Sequence, residues 1–290
     1  MTENDDAIRL ALPKGHLEEG VSALLSDANI RVRATSRGYR PAISLPGFET
    51  KILRPQNIVE MLALGSRDVG FTGADWVAEV GAELVELLDC GLDPVRLVAA
   101  APSDLVGPGG ALPDRRLIVA SEYERLTRDW IAERGLDAAF VQSYGATEVF
   151  PPEDADLIVD NTSTGSTLRA NDLVVVDELL RSTTGLYANP AALDDASKRE
   201  RIEELVMVLG AVLEARRRVM VEVNVAEDRL AEVIASLPCM REPTLSHLHG
   251  GAGYAVKAAV PRDRLPQVIP EIKRRGGTDV VVTNLAQIVP

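Results

Sequence analysis

Five hydroxyl side chains surround one glycine near the middle of the chain, between residues 162 and 167. They follow a short apolar run, Leu157 to Val159, that stands between Asp156 and Asp160 and is typical of a buried strand. Helix-forming residues come next, so we predict a helix that begins inside the cluster. Backbone N–H groups at such a turn suit a phosphate, and the hydroxyl density favours this over an ordinary helix N-cap. The cluster consists of Thr162, Ser163, Thr164, Gly165, Ser166 and Thr167.

The composition is that of a globular protein with ample core material. The 290 residues are 46% hydrophobic and 26% charged, which predicts two or three domains. A net charge of -13 argues against nucleic acid and anionic membranes as partners. A phosphate ligand must therefore be met locally, by a few placed cations, by backbone donors and by a divalent cation.

Cysteine usage and the N-terminus indicate a cytoplasmic protein. Cys90 and Cys239 are the two cysteines and lie far apart, a pattern that favours reduced thiols over a disulfide framework or a metal site. The segment from Met1 to Asp6 is polar and acidic, unlike a secretory leader. No apolar run approaches the length that a membrane span needs.

Strands and helices alternate in the first ninety or so residues. Apolar strands are predicted at Ile8 to Leu12, Thr50 to Leu53 and Val69 to Phe71, and each ends in a polar turn followed by a helix. This alternation predicts an α/β fold whose ligand-binding groups gather at the carboxyl ends of the strands.

A second series of strands and helices follows a glycine- and proline-rich passage. The passage, residues 102–113, is predicted to cross the surface into a second α/β lobe that carries the hydroxyl cluster. Strands predicted at 174–180 and 186–188 return toward the first lobe. Two lobes joined by two crossings leave a cleft between them.

The tail has its own pattern and its own charge. A long amphipathic helix is predicted from Asp194 to Arg218. Beyond it, strands and helices follow in the βαββαβ order of a ferredoxin-like domain. Residues 216–290 carry a net charge of +3, whereas residues 1–215 carry -16. The tail is therefore predicted to be a separate domain.

Four segments together carry a family resemblance. They are Leu12-Pro-Lys-Gly-His-Leu17, Ile52-Leu-Arg-Pro-Gln-Asn-Ile58, Asp68-Val-Gly-Phe-Thr-Gly-Ala-Asp75 and the stretch from Asp156 to Leu173. With Glu242-Pro243-Thr244 and the tail, they resemble ATP phosphoribosyltransferase, the first enzyme of histidine biosynthesis, in its long form. Two positions depart from the family pattern: His16 stands where Arg or a small polar residue is expected, and Asn161 where an apolar residue is more usual.

The resemblance implies a fold of two lobes like those of type II periplasmic binding proteins, around a cleft, and an ACT-like C-terminal domain. We expect residues 1–95 and 181–215 to form the first lobe with a linking helix, residues 96–180 the second lobe, and residues 216–290 the regulatory domain. The implied reaction transfers phosphoribosyl from 5-phosphoribosyl-1-pyrophosphate to N1 of the ATP adenine, with Mg²⁺. Histidine is the implied inhibitor, and a homo-oligomer, a dimer or a hexamer, is the implied assembly.

Roles follow residue by residue from the same resemblance. Residues 162–167 would hold the 5-phosphate, and Asp160 or Glu148 would meet the ribose hydroxyls or Mg²⁺. Lys14 and Arg54 would neutralise pyrophosphate or ATP phosphates. For Glu148, Lys14 and Arg54 an ordinary surface charge is the alternative. The remaining residues expected at the ATP or pyrophosphate cleft are Gly15, Gly73 and Asp75, the last with helix capping as its alternative.

Two further questions stay open in the sequence. His247 and His249 lie two positions apart without further ligands nearby, which favours a solvent-facing or inter-subunit role over a metal site. The rival function is a type II solute-binding or ligand-responsive regulatory module without catalysis. The absence of a recognisable leader and of a helix-turn-helix speaks against such modules.

Overall fold

The computed structural model describes residues 6–35 and 38–289. These residues divide into two compact units, one within residues 1–23 and 30–202 and the other within residues 24–29 and 203–290. Residues 1–5 make up most of the N-terminal segment that is predicted not to be a secretory leader, and they lie outside the described residues. Of the helices in the described ranges, none combines the length and apolarity needed to span a bilayer.

Three parallel strands build the first half of the first unit. The elements are β1 (Ile8–Pro13), α1 (Leu17–Asp27), β2 (Val32–Arg33), β3 (Ala42–Ile43), β4 (Phe48–Leu53), α2 (Pro55–Ala63), β5 (Val69–Gly73) and α3 (Ala74–Val80). β1 pairs in parallel with β4 on one side and with β5 on the other. All of β5 is buried, as expected for a parallel strand with both faces covered. The predicted strand, turn and helix alternation is therefore present.

The second half repeats this arrangement. Its elements are β7 (Leu117–Ser121), α4 (Glu124–Glu133), β8 (Ala138–Gln142), β9 (Leu157–Thr162) and α5 (Ser166–Ala170). β7 pairs in parallel with β8 and with β9. As predicted, α5 begins inside the hydroxyl cluster, at Ser166, and it runs for only five residues.

Two long antiparallel strands, β6 (Val85–Pro102) and β10 (Leu173–Ala188), connect the halves. They pair with each other from Val85 and Ala188 to Pro102 and Leu173. β10 also pairs with β5, and β6 with β9. Eight strands of the first unit therefore form one sheet in the order β4-β1-β5-β10-β6-β9-β7-β8, while β2 and β3 pair separately. The glycine- and proline-rich passage predicted as a crossing comes after β6 has already reached the second half.

A long helix runs from the first unit into the second, which continues as a βαββαβ domain. The remaining elements of the chain are α6 (Pro190–Asp194), which belongs to the first unit, α7 (Ala196–Arg217), β11 (Arg218–Val225), α8 (Leu230–Ile234), β12 (Thr244–His247), β13 (Tyr254–Pro261), α9 (Leu265–Arg274) and β14 (Thr278–Asn284). The four strands are antiparallel in the order β12-β13-β11-β14. Valines of β11 pack with Val233 of α8 and with Val268 and Ile272 of α9. The predicted ferredoxin-like order is confirmed.

Candidate active site

The carboxyl ends of parallel strands from both halves meet at one cavity of about 400 Å³. Lys14 follows β1, Arg54 follows β4, Glu122 follows β7, and Asp160 lies at the end of β9. Ligands of open α/β sheets bind at these strand ends. The cavity is lined by Lys14, Gly15, His16, Arg54, Pro55, Gln56, Trp76, Glu122, Gly145, Ala146, Thr147, Asp160 and Asn161.

The charged lining residues from the first half, Lys14 and Arg54, are basic. Lys14 donates through Nζ to the Tyr39 hydroxyl at 3.1 Å, and its ammonium lies 5.1 Å from the centre of the Tyr39 ring. Gly15 has a φ of +89°, a left-handed conformation that L side chains rarely adopt, and this turns the chain between Lys14 and His16. Arg54 is the N-cap residue of α2, directly before Pro55. Lys14 and Arg54 are 40 positions apart in the sequence, and both line this cavity.

The charged lining residues from the second half, Glu122 and Asp160, are acidic. Burial, together with the nearby carboxylates of Glu148 and Glu122, raises the pKa of Asp160 to about 7. The backbone N–H of Asn161 donates to the Asp160 carboxylate and by itself lowers that pKa, but it offsets only part of the rise. A cation or the hydroxyl groups of a ligand would stabilise the charged form of this carboxylate, which burial disfavours. Glu148 acts on Asp160 electrostatically but is not among the residues that line the cavity.

The hydroxyl cluster forms a tight, self-bonded turn at the end of β9. Thr162 Oγ1 accepts from the Gly165 backbone N–H at 3.0 Å, and the Thr164 hydroxyl donates to Ser166 Oγ at 3.0 Å. Gly165 has a φ of +70°, so a β-branched residue there is strained. The remaining hydroxyls, of Ser163 and Thr167, are exposed. The turn does not contribute to the lining of the 400 Å³ cavity, although Asp160 and Asn161 directly precede it.

Asp75 lies in a buried polar cluster and does not line the cavity. The residue is 4% exposed. Its carboxylate accepts from the Tyr123 hydroxyl at 2.6 Å and from the Ser182 hydroxyl at 2.7 Å. Gly73 leaves the space for it, since a Cβ at that position would lie 2.1 Å from Asp75 Oδ1. The expected roles of Asp75 and Gly73 at a nucleotide cleft stay predictions.

The lining residues that the sequence reasoning missed include Glu122, Gln56, Trp76 and Thr147. Glu122 follows an apolar strand just as Lys14 does, so the strand-end rule could have found it. Gln56 carries a buried side-chain oxygen to which the described residues offer no hydrogen-bond partner, and a ligand donor would satisfy it. Trp76 and Thr147 have no comparable sequence signal, because their neighbours come from distant elements.

Metal-binding side chains do not cluster in the described part of the chain. Residues 6–35 and 38–289 contain no group of three or more His, Cys, Asp or Glu side chains that could hold a metal ion. In the second unit His247 packs beside Tyr254, with ring centroids 4.6 Å apart. His249 lies in an exposed turn.

Comparisons with known proteins agree along the whole chain. A family model described as ATP phosphoribosyltransferase matches residues 54–211, and one described as HisG, C-terminal domain, matches residues 215–287. The ATP phosphoribosyltransferase of Chlorobium phaeovibrioides is 35% identical over 295 residues, covering 100% of both chains. That of Pelotomaculum thermopropionicum is 37% identical over 289 residues, covering 98% of this chain and 99% of its own.

A solved structure supports the fold. It is an ATP phosphoribosyl transferase (HisG:HisZ) complex from Thermotoga maritima, which matches with a TM-score of 0.64 at 27% identity and covers 71% of this chain and 98% of its own. The predicted fold class, two lobes of the type II binding-protein kind with a ferredoxin-like C-terminal domain, is confirmed. With relatives matched over their full length and the C-terminal domain present, the chain belongs to the ATP phosphoribosyltransferase family in its long form, the pentosyltransferases of the first step of histidine biosynthesis.

Proposed function

We propose that this chain transfers phosphoribosyl from 5-phosphoribosyl-1-pyrophosphate to N1 of ATP inside the 400 Å³ cavity. The observation that carries this proposal is the division of charge across the cavity. Lys14 and Arg54 come from the first half, and Asp160 and Glu122 from the second. One side thus suits phosphates and the other suits sugar hydroxyls.

The reaction is a displacement at the anomeric carbon of the ribose. The N1 lone pair of adenine forms a bond to C1′ while the bond from C1′ to pyrophosphate oxygen breaks, and pyrophosphate leaves with the electron pair. Because N1 already carries a lone pair, no strong general base is needed for the attack. Alignment of the two substrates and neutralisation of the leaving charge can supply most of the rate enhancement.

Lys14 and Arg54 are the groups that neutralise the leaving pyrophosphate or the ATP phosphates. Their positions at the ends of adjacent strands β1 and β4 support this role. The hydroxyl turn from Thr162 to Thr167 holds the 5-phosphate through backbone N–H groups and hydroxyls. Because α5 has five residues, its dipole adds little to this binding.

Asp160 holds the ribose hydroxyls, and Glu148 assists it. The pKa of Asp160, raised to about 7, supports this role, because hydroxyl donors or a cation would stabilise the carboxylate that burial disfavours. Mg²⁺ fits this set with one or two carboxylates, since Mg²⁺ usually keeps several waters and binds substrate phosphates as well. When bound, the cation would neutralise charge on the pyrophosphate.

The tail is proposed to be the regulatory domain that binds histidine. Its support is the ferredoxin-like topology of residues 218–284. One face of that sheet packs on α8 and α9, which leaves the other face for partners in a homo-oligomer. The limits of the two lobes and the tail at residues 95, 180 and 215 are part of the same proposal. So is a cytoplasmic location.

The non-catalytic alternative is the less favoured one. A solute-binding or regulatory module requires a cleft, but it does not require the family match over residues 54–211 or relatives named for catalysis along their full length.

Incubation of the purified protein with ATP, Mg²⁺ and 5-phosphoribosyl-1-pyrophosphate tests the proposal. We expect equimolar adduct and pyrophosphate, both resolved by anion-exchange chromatography. Lys14→Ala and Arg54→Ala should each lower the rate without preventing folding, because both side chains are exposed. Substrate binding without either product would favour the non-catalytic alternative.

A further inference from the structure

Asn161 is the one departure from the family pattern that lies at the end of the site strand β9, and it lines the cavity. It follows Asp160, and successive side chains of a strand point to opposite faces of the sheet. Asn161 therefore shares the face of Val159, which packs in one core cluster with Trp76 and Tyr123. Asp160 shares the face of Ile158, whose core cluster is a different one.

A chain of buried hydrogen bonds fixes the orientation of the Asn161 amide. Ser182 donates to one carboxylate oxygen of Asp75 at 2.7 Å, and the Tyr123 hydroxyl donates to the other at 2.6 Å. Asn161 Nδ2 donates to the Tyr123 oxygen at 2.8 Å. Burial and the Asp75 carboxylate raise the pKa of Tyr123 well above its usual value, so the phenol keeps the proton that it donates to Asp75.

This order of donors determines which end of the amide remains available. The Tyr123 proton is used by Asp75, so the phenol oxygen can only accept, and it accepts from the amide nitrogen. The carbonyl oxygen of Asn161 is left, and no hydrogen bond to it is found among the described residues. Asn161 therefore presents a fixed acceptor at the cavity.

The surroundings of that acceptor suit a nucleobase. Trp76 stacks on Tyr123 with ring centroids 4.4 Å apart and planes inclined by 22°, and Trp76 also lines the cavity. An aromatic side chain beside a fixed acceptor matches a planar base that carries an amino group. The carboxylates Glu122 and Glu148 act instead on Asp160, on the other face of the strand.

We propose that the Asn161 carbonyl oxygen accepts a hydrogen bond from the 6-amino group of the ATP adenine, as a specificity-determining residue whose amide is positioned by Tyr123, Asp75 and Ser182. This rests on the proposed function, which makes ATP the nucleophile. Guanine and hypoxanthine bear a carbonyl oxygen at that position, and two acceptors facing each other repel.

The same contact strengthens during the reaction. When N1 of adenine bonds to C1′ and pyrophosphate leaves with the electron pair of the broken bond, the adenine ring gains a positive charge shared between N1 and the 6-amino nitrogen. A hydrogen bond from that amino group is then donated by a charged group and is stronger than in the bound substrate. The contact therefore acts on kcat more than on KM.

The test compares ATP with purine riboside 5′-triphosphate, which keeps N1 and lacks the 6-amino group. For each enzyme the ratio of kcat/KM for ATP to that for the analogue is measured. The intrinsic difference between the two bases is the same in every enzyme, so it cancels when ratios are compared. We expect Asn161→Leu to reduce the ratio about tenfold, mainly through kcat for ATP, in line with a charge-assisted hydrogen bond.

Two further variants sharpen the result. Tyr123→Phe frees the amide to rotate and should reduce the ratio by a smaller factor of about three. Asn57→Leu is the matched control, since Asn57 is exposed, donates to Glu60 at 3.0 Å and does not line the cavity. Its ratio should equal that of the wild type.

The outcomes separate this inference from the proposed function. If Asn161→Leu slows both triphosphates equally, the amide does not recognise the amino group and the inference fails, while adduct formation by the wild type still supports the proposed function. If Asn161→Leu does not fold, Asn161→Ala is compared in the same way. If the wild type forms no adduct, the proposed function fails, and equal dissociation constants for the two triphosphates would overturn the inference as well.

Discussion

The raised pKa of Asp160 predicts that this residue destabilises the first unit increasingly as the pH rises. The change that isolates the effect is Asp160→Asn, which keeps the shape of the side chain and removes its titration. A group whose folded-state pKa is raised holds its proton more tightly in the folded chain. Its contribution to stability is therefore full below about pH 4, falls as the pH rises and is constant above about pH 7.

The magnitude follows from the two pKa values. The shift from 3.8 to about 7 corresponds to roughly 4 kcal/mol at about 1.4 kcal/mol per pH unit. Between pH 5.5 and pH 8.5, roughly 2 kcal/mol of this amount is lost. The free energy of unfolding of Asp160→Asn should thus rise relative to wild type by about 2 kcal/mol over that interval.

Urea unfolding followed by tryptophan fluorescence measures this difference. The two tryptophans, Trp76 and Trp130, both belong to the first unit, so the signal reports the unit that contains Asp160. Asp104→Asn, which removes an exposed carboxylate, separates the effect of burial from that of one lost negative charge. A stability difference between wild type and Asp160→Asn that stays constant within about 0.5 kcal/mol across the interval would refute the reasoning.

Three further results are expected. Gly165 has a φ of +70°, so Gly165→Val should distort the turn. The KM for 5-phosphoribosyl-1-pyrophosphate should rise at least about tenfold and the KM for ATP less than about twofold. Equal increases of the two KM values in steady-state assays would contradict the phosphate role of the turn. Asp68→Asn removes the carboxylate that the half-exposed guanidinium of Arg9 binds at 2.8 and 2.9 Å. Urea unfolding at pH 7 should show a loss of roughly 1.5 kcal/mol, and a loss below about 0.5 kcal/mol would mean that the pair is not coupled to folding. Deletion of the chain after Arg218 should abolish inhibition by histidine while catalysis persists, and continued inhibition in the same assay would move the sensor out of the tail.

Local patterns were sufficient to predict most of the elements. Apolar runs followed by polar turns predicted β1, β4 and β5 with the cavity residues Lys14 and Arg54 at the ends of β1 and β4. The order of strands and helices after Arg218 predicted the topology of the tail. These predictions succeed because each depends on residues within one or two turns of chain.

The remainder depends on residues that are distant in sequence. The first half of β6, from Val85 to Pro94, contains acidic residues, glycine and proline and has no strand-like alternation, and it is extended because β10 pairs along it. Asp75 finds its partners 48 and 107 positions away. The pKa of Asp160 depends on carboxylates from two other loops, Glu122 and Glu148. Only the folded chain brings these groups together.

The pairing of β6 with β10 restricts how the two halves of the first unit can move. Two unpaired connecting loops could change conformation independently. In a two-stranded ribbon the strands must bend together, because sliding one along the other would break the hydrogen bonds between them. The pairing register of β10 against β6 shifts at five places between Val175 and Tyr187, one of them between Ser182 and Thr184. Ser182, beside one of these irregularities, donates to Asp75 at 2.7 Å, so the ribbon is linked through Asp75 and Tyr123 to the amide of Asn161. A change in the bend of the ribbon would therefore also move the hydrogen-bond chain that holds the proposed base-recognising amide.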